Sequence, residues 1–149
     1  MDRSDADGGI ASNAVPEMGD VTLTEAGEWV DAYGQAWVNH DLEAGLALFT
    51  PGATFREARF KPAVIGRESM IAYWRARRRP QYGNSFSGET LVMRGNLALA
   101  HWTAEFTWRP TNMTYRLDAI SRIALERAPN GEIKASLLEH WIDRQLSEP

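Results

Sequence analysis

Apolar side chains recur at three-and-four spacing through Ala26, Trp29, Val30, Tyr33 and Trp37, which places the aromatic rings on one face of a helix. Thr22, with Glu25 three residues on, fits a capping box that starts that helix. Asp41 can cap a second short helix, "LEAGLALF", with Thr50-Pro51-Gly52 as its stop. "ATFREARF", residues 53–60, alternates and predicts a strand with Phe55, Glu57 and Arg59 on one face. A loop then leads into a third helix, with Met70, Ile71 and Trp74 inward and Pro80 as the stop. Beyond it the period changes to two. Residues 85–93, 97–109, 114–127 and 132–145 alternate, with turns at Arg94-Gly95-Asn96, Pro110-Thr111-Asn112 and Pro129-Asn130-Gly131.

Three N-terminal helices followed by a meander of long, mostly antiparallel strands is an α+β architecture. A long twisted sheet curves strongly, and helices packed on its concave face leave a pocket at one mouth. Residues 1–20 carry few large apolar groups and no period, which predicts a flexible N-terminal tail. Residues 21–149 form the expected single domain.

Alternation also assigns facing. In 97–109, Trp102 and Phe106 point to the core or pocket while His101, Thr103 and Glu105 point away. In the next strand Leu117 and Ala119 share the inner face, and Arg116 with Asp118 forms an outer, solvated or interface pair. In the last strand Leu138, His140 and Ile142 share one face, opposite Leu137, Glu139, Trp141 and Asp143. His140 is therefore expected to point inward. If Phe55 faces the core, Glu57 and Arg59 follow it toward the pocket mouth. An inward carboxylate is costly unless paired, and one beside a histidine can tune the imidazole. Touching Glu57 should raise the pKa of His140 above its ordinary value near 6.5.

Composition narrows the chemistry. The chain has 149 residues and a net charge of −4, which disfavours nucleic-acid binding because phosphates need a positive field. The basic run Arg75-Ala76-Arg77-Arg78-Arg79 is expected to be the solvated end of the third helix. There is no cysteine, so no disulfide or zinc–thiolate site can form. No stretch is apolar enough for a membrane span. The expectation is a cytoplasmic protein without cofactor, and three histidines on separate elements suggest no metal site.

The segments "AYGQAWVNHDLEAGLALFTPGATF", "GRESMIAYW" and "EHWIDRQ" resemble the nuclear transport factor 2-like superfamily, and within it the SnoaL-like domain family, from about Leu23 to Leu146. The resemblance implies a cone-shaped α+β barrel and a homodimer paired through the outer face of the sheet. It leaves activity open, because the superfamily contains isomerases, cyclases, epoxide hydrolases, dehydratases and binding proteins. Against limonene epoxide hydrolases, Phe55 and Glu57 fall where that family has a water-positioning tyrosine and asparagine, and His140 where it has a catalytic aspartate. Trp102 and Ala104 replace its remaining arginine and aspartate, so that mechanism is not expected. The resulting expectation is an acid–base enzyme acting on a small hydrophobic or aromatic molecule. His140 and Glu57 would be the catalytic pair, Arg59 an anion anchor, and Phe55, Tyr33, Trp37, Trp74, Trp102, Phe106 and Leu117 the binding walls. The alternative is a non-catalytic binding or dimeric assembly module whose pocket is filled by side chains.

Overall fold

The computed structural model describes residues 20–147; the predicted tail, apart from Asp20, lies outside the described residues. The elements run α1 (Leu23–Val38), α2 (Leu42–Leu46), β1 (Phe49–Arg56), β2 (Val64–Ile65), α3 (Arg67–Arg78), β3 (Gln81–Arg94), β4 (Leu97–Trp108), β5 (Met113–Arg127) and β6 (Ile133–Ser147). The strands form one six-stranded sheet in the order β2-β1-β6-β5-β4-β3. All neighbours are antiparallel except β1 and β6. The three helices pack against this curled, unclosed sheet, the α+β architecture expected from the pattern.

The local signals act as the sequence suggests. Thr22 and Glu25 close a reciprocal capping box on α1, and Glu25 also takes two hydrogen bonds from Arg127 at 2.8 and 2.9 Å. The Asp41 side chain accepts from the Ala44 N–H and caps α2. Around β1 the sequence reading needs correction. Thr50-Pro51-Gly52 does not stop a helix but lies inside β1, where the register with β6 slips between Phe49 and Thr54. A proline is tolerated there because a bulge needs no ladder N–H. β1 also ends at Arg56, so Glu57 sits in a bend and Arg59 in a turn. The period-two rule for facing does not carry through them.

The core is aromatic. Trp29 stacks on Tyr33 with centroids 5.5 Å apart, and Phe49, Phe55 and Trp74 meet edge to face at 5.4–5.5 Å. Fully burying such side chains contributes about 1.5–3 kcal/mol each. Gly34 lets α1 approach β3: a Cβ there would fall 2.1 Å from the Phe86 ring.

Candidate functional site

β5 and β6 bring the first polar group inward. Along β5 the residues Leu117, Ala119, Ser121, Ile123 and Leu125 alternate as buried positions, and the pairing register puts Ser121 directly across from His140. His140 is 3% exposed, with Phe55 and Trp102 edge-on at 5.5 and 5.3 Å. Its Nδ1 lies 2.6 Å from Ser121 Oγ, and Trp102 Nε1 donates to the same Oγ at 2.7 Å.

The donor inventory sets the direction of this chain. Tryptophan can only donate, and a serine has one proton. The Ser121 hydroxyl has no other acceptor among the described residues, so its proton goes to His140 Nδ1. The imidazole is then left with its own proton on Nε2, the edge available to the cavity. Burial, helped by the charge of Arg78 and opposed by that of Glu57, pushes the pKa of His140 down to about 4. The expected rise is thus corrected. Glu57 attracts the imidazolium but makes no hydrogen bond to it, and desolvation wins. At neutral pH His140 is an uncharged hydrogen-bond donor.

Glu57 comes from the bend after β1 and is half-buried. Tyr73 donates to its Oε1 at 2.9 Å, and Arg77 to its Oε2 at 2.7 Å. Burial is the largest single influence and pushes its pKa up. The charge of Arg77 and the hydrogen bonds from Tyr73 and Arg77 together outweigh it and hold the carboxyl below its ordinary value. Arg78 donates to the Tyr33 hydroxyl oxygen at 3.0 Å and lies over the Trp74 ring, 4.1 Å from its centroid. Burial raises the pKa of Tyr33, so the phenol keeps its proton, which has no acceptor among the described residues.

Of these groups Tyr33, Phe55, Glu57, Trp74, Arg77, Arg78, Trp102 and His140 line one narrow cavity of about 70 Å³, together with Trp37, Gln81, Phe86, Ala104, Phe106, Leu117, Ile142 and Arg144. His140, Glu57, Phe55, Tyr33, Trp37, Trp74, Trp102, Phe106 and Leu117 are thus brought together. Arg59 is not. It lies on the outer face, 3.3 Å from Glu139 and 4.4 Å from the Trp141 ring centroid. There, burial pushes the pKa of Glu139 up, but Arg122 and Arg59 outweigh it and hold the carboxylate low. The end of β1 at Arg56 is the reason Arg59 turns outward. His101 also lies on the outer face, 2.8 Å from Asp118.

The arginine run needs a similar correction, since Arg77 and Arg78 turn inward rather than into solvent. Both stand one helical turn beyond Tyr73 and Trp74, a spacing that shares a face and was available in the sequence. Ser121, a lone hydroxyl in an apolar alternation, was the other usable signal. Wider, open grooves of about 460 and 700 Å³ lie along the outer face; Glu57 also borders the larger one, but neither is lined by His140, Tyr33 or Arg78. Among the described residues no group of three His, Asp or Glu side chains is placed to hold a metal ion, and no helix is long and apolar enough to cross a membrane.

Comparison with known proteins agrees with this architecture. No curated protein matches the sequence. Similar solved structures include a ketosteroid isomerase-like protein from Erwinia carotovora atroseptica (14% identity, TM-score 0.62, covering 82% of this chain and 93% of that one). Others are a type 2 hexachlorocyclohexane dehydrochlorinase (11%, 0.68, 80% and 84%) and SalBIII, an epoxide hydrolase/cyclase-like enzyme of pyran ring formation in salinomycin (19%, 0.68, 80% and 94%). At these identities the likeness is one of fold. The SnoaL-like domain matches residues 30–135, well over half of the chain, and the protein belongs to the SnoaL-like domain family.

Proposed function

We propose that the protein is a cofactor-free, cytoplasmic small-molecule enzyme that performs acid–base chemistry next to a carbonyl or enol group in the inner cavity. The observation that carries this reading is the directed chain Trp102 to Ser121 to His140. It presents a neutral Nε2–H to a space that also holds an ionised carboxylate, Glu57. In this reading His140 donates to the substrate oxygen, with the Tyr33 hydroxyl as a second donor. Glu57 takes a proton from the adjacent carbon, the electron pair moves toward the oxygen, and the two donors stabilise the charge that develops there. Return of the proton to a different atom completes an isomerisation, or a cyclisation or elimination where the substrate carries the second reacting group. Glu57, held ionised by Arg77 and Tyr73, is a weak base, so the acidifying hydrogen bonds from His140 and Tyr33 matter to the rate. The neighbouring folds named isomerase-like, dehydrochlorinase and cyclase-like support this class without naming a substrate.

The narrowness of the cavity favours a second reading, a module that binds a small aromatic molecule and does not turn it over. Proton exchange separates the two. Phenylacetone and phenylpyruvate each carry an enolisable methylene beside an aromatic ring, and NMR in D₂O follows its deuteration. The expected result is protein-dependent exchange that falls about 100-fold or more in Glu57→Gln, in the range of a lost general base, and falls also in His140→Asn. Binding without exchange would establish the second reading.

We also infer a homodimer through the outer face of the sheet, supported by the exposed Leu99, Ile120 and Trp141.

A further inference from the structure

The hydrogen-bonding groups around the cavity are unevenly matched. Each carboxylate or amide oxygen among the lining side chains already takes one hydrogen bond: the two Glu57 oxygens from Tyr73 and Arg77, and Gln81 Oε1 from Trp37 Nε1 at 2.9 Å. Donors are left over. Among the described residues His140 Nε2–H and the Tyr33 proton have no acceptor, and the buried Trp74 Nε1 has none either. Charge is uneven as well, with three arginines (Arg77, Arg78 and Arg144) and one carboxylate among the lining residues.

Arg78 is the centre of the imbalance. Its one side-chain hydrogen bond among the described residues goes to the neutral Tyr33 hydroxyl, and no carboxylate of those residues lies within ion-pair distance. A guanidinium has five N–H donors, and a cation partly withdrawn from water is costly without a carboxylate in contact; Glu57 acts on Arg78 only through its charge, across the cavity. Two rings hold it in place, Trp74 at 4.1 Å and Tyr33 at 5.6 Å from the ring centroids. The remaining exposed part of Arg78 opens on a separate surface recess of about 290 Å³ that also carries Arg75, Arg79 and one carboxylate, Asp41, which makes no ion pair with Arg78. Trp74 and Arg78 line both spaces and form the partition between them. The favourable field at a helix C-terminus accounts for basic residues ending α3, but not for turning one of them inward without an acid in contact.

We propose that the cavity takes an anionic ligand, a small aromatic or cyclic carboxylate, and that Arg78 anchors the carboxylate at the partition while the ring lies among the cavity aromatics. This deepens the functional reading above and rests on the inner cavity being the ligand site. A planar fork is suited to a carboxylate, which leaves the Tyr33 proton for the substrate oxygen.

Benzoate and benzyl alcohol, of similar size and opposite charge character, test this by calorimetric titration at low salt. Benzoate is expected to bind about tenfold or more tightly than the alcohol, the scale of one charge-assisted hydrogen bond. Arg78→Met should abolish that preference. Arg59→Gln, on the opposite face of the sheet, should leave it intact. A second measurement needs only the wild type: saturating benzoate should raise the NMR titration midpoint of His140, because an anion at Arg78 offsets a cation that depresses it, whereas benzyl alcohol should not. Equal affinity for the two probes, a preference that survives Arg78→Met or disappears in Arg59→Gln, or an unmoved His140 midpoint would overturn the anion site and leave the acid–base reading standing. If neither probe binds, the ligand role of the cavity falls with it.

Discussion

Replacing His140 by Asn should remove most of the acid sensitivity of the folded state between pH 6.5 and 4. In the unfolded chain the imidazole titrates near 6.5. In the folded protein its value is about 4, set by burial, with Glu57 opposing and Arg78 assisting. Between these values the unfolded state holds a proton that the folded state lacks, so stability rises with pH across that window. The contribution is complete above about pH 6.5 and is lost as pH falls toward 4. A gap of roughly 2.5 units at about 1.4 kcal/mol each comes to about 3 kcal/mol. In His140→Asn the new amide oxygen would still accept the Ser121 proton, which limits the cost of the substitution at neutral pH. Urea unfolding of both proteins at half-unit steps from pH 7.5 to 4 gives the difference directly, because the carboxylates are common to both and largely cancel. The wild type should lose up to about 3 kcal/mol more than His140→Asn over this range. A difference that does not change with pH, or a wild-type His140 NMR midpoint above 6.5, would refute the assignment of a desolvated neutral imidazole.

Three further outcomes follow from the same packing. Gly34→Ala should destabilise the fold by about 1–2 kcal/mol in urea unfolding despite the better helix propensity of alanine, because the new Cβ would sit 2.1 Å from Phe86 and force it to move; a gain in stability would show that Phe86 can yield freely. Ser121→Ala should release His140 from a single tautomer, seen as a change in two-bond ¹H–¹⁵N correlations, with Nδ1 protonation appearing; an unchanged pattern would mean that something else orients the ring. Sedimentation at tens of micromolar should give a dimer, and Trp141→Glu should shift it toward monomer; a 16.7 kDa species alone would exclude the outer-face pairing.

Local pattern and elementary chemistry were enough to specify much of this molecule. The capping residues Thr22, Glu25 and Asp41, the turns around Gly95, Asn112 and Gly131, and the inward facing of Trp102, Leu117 and His140 depend on neighbours within a few positions, which a sequence displays. What the tertiary structure decided depends on where chains end and meet. The strand stops at Arg56, so Arg59 leaves the cavity although alternation placed it there, while Glu57 turns toward Arg77 and Tyr73 from a bend. The inward turn of Arg78 was present as helical spacing from Trp74, but that no acid among the described residues touches it needed three dimensions to see. So did the sign of the His140 shift. Desolvation and a neighbouring charge act in opposite directions on one imidazole, and only the burial and distances set by the packed β5–β6 pair determine which is larger.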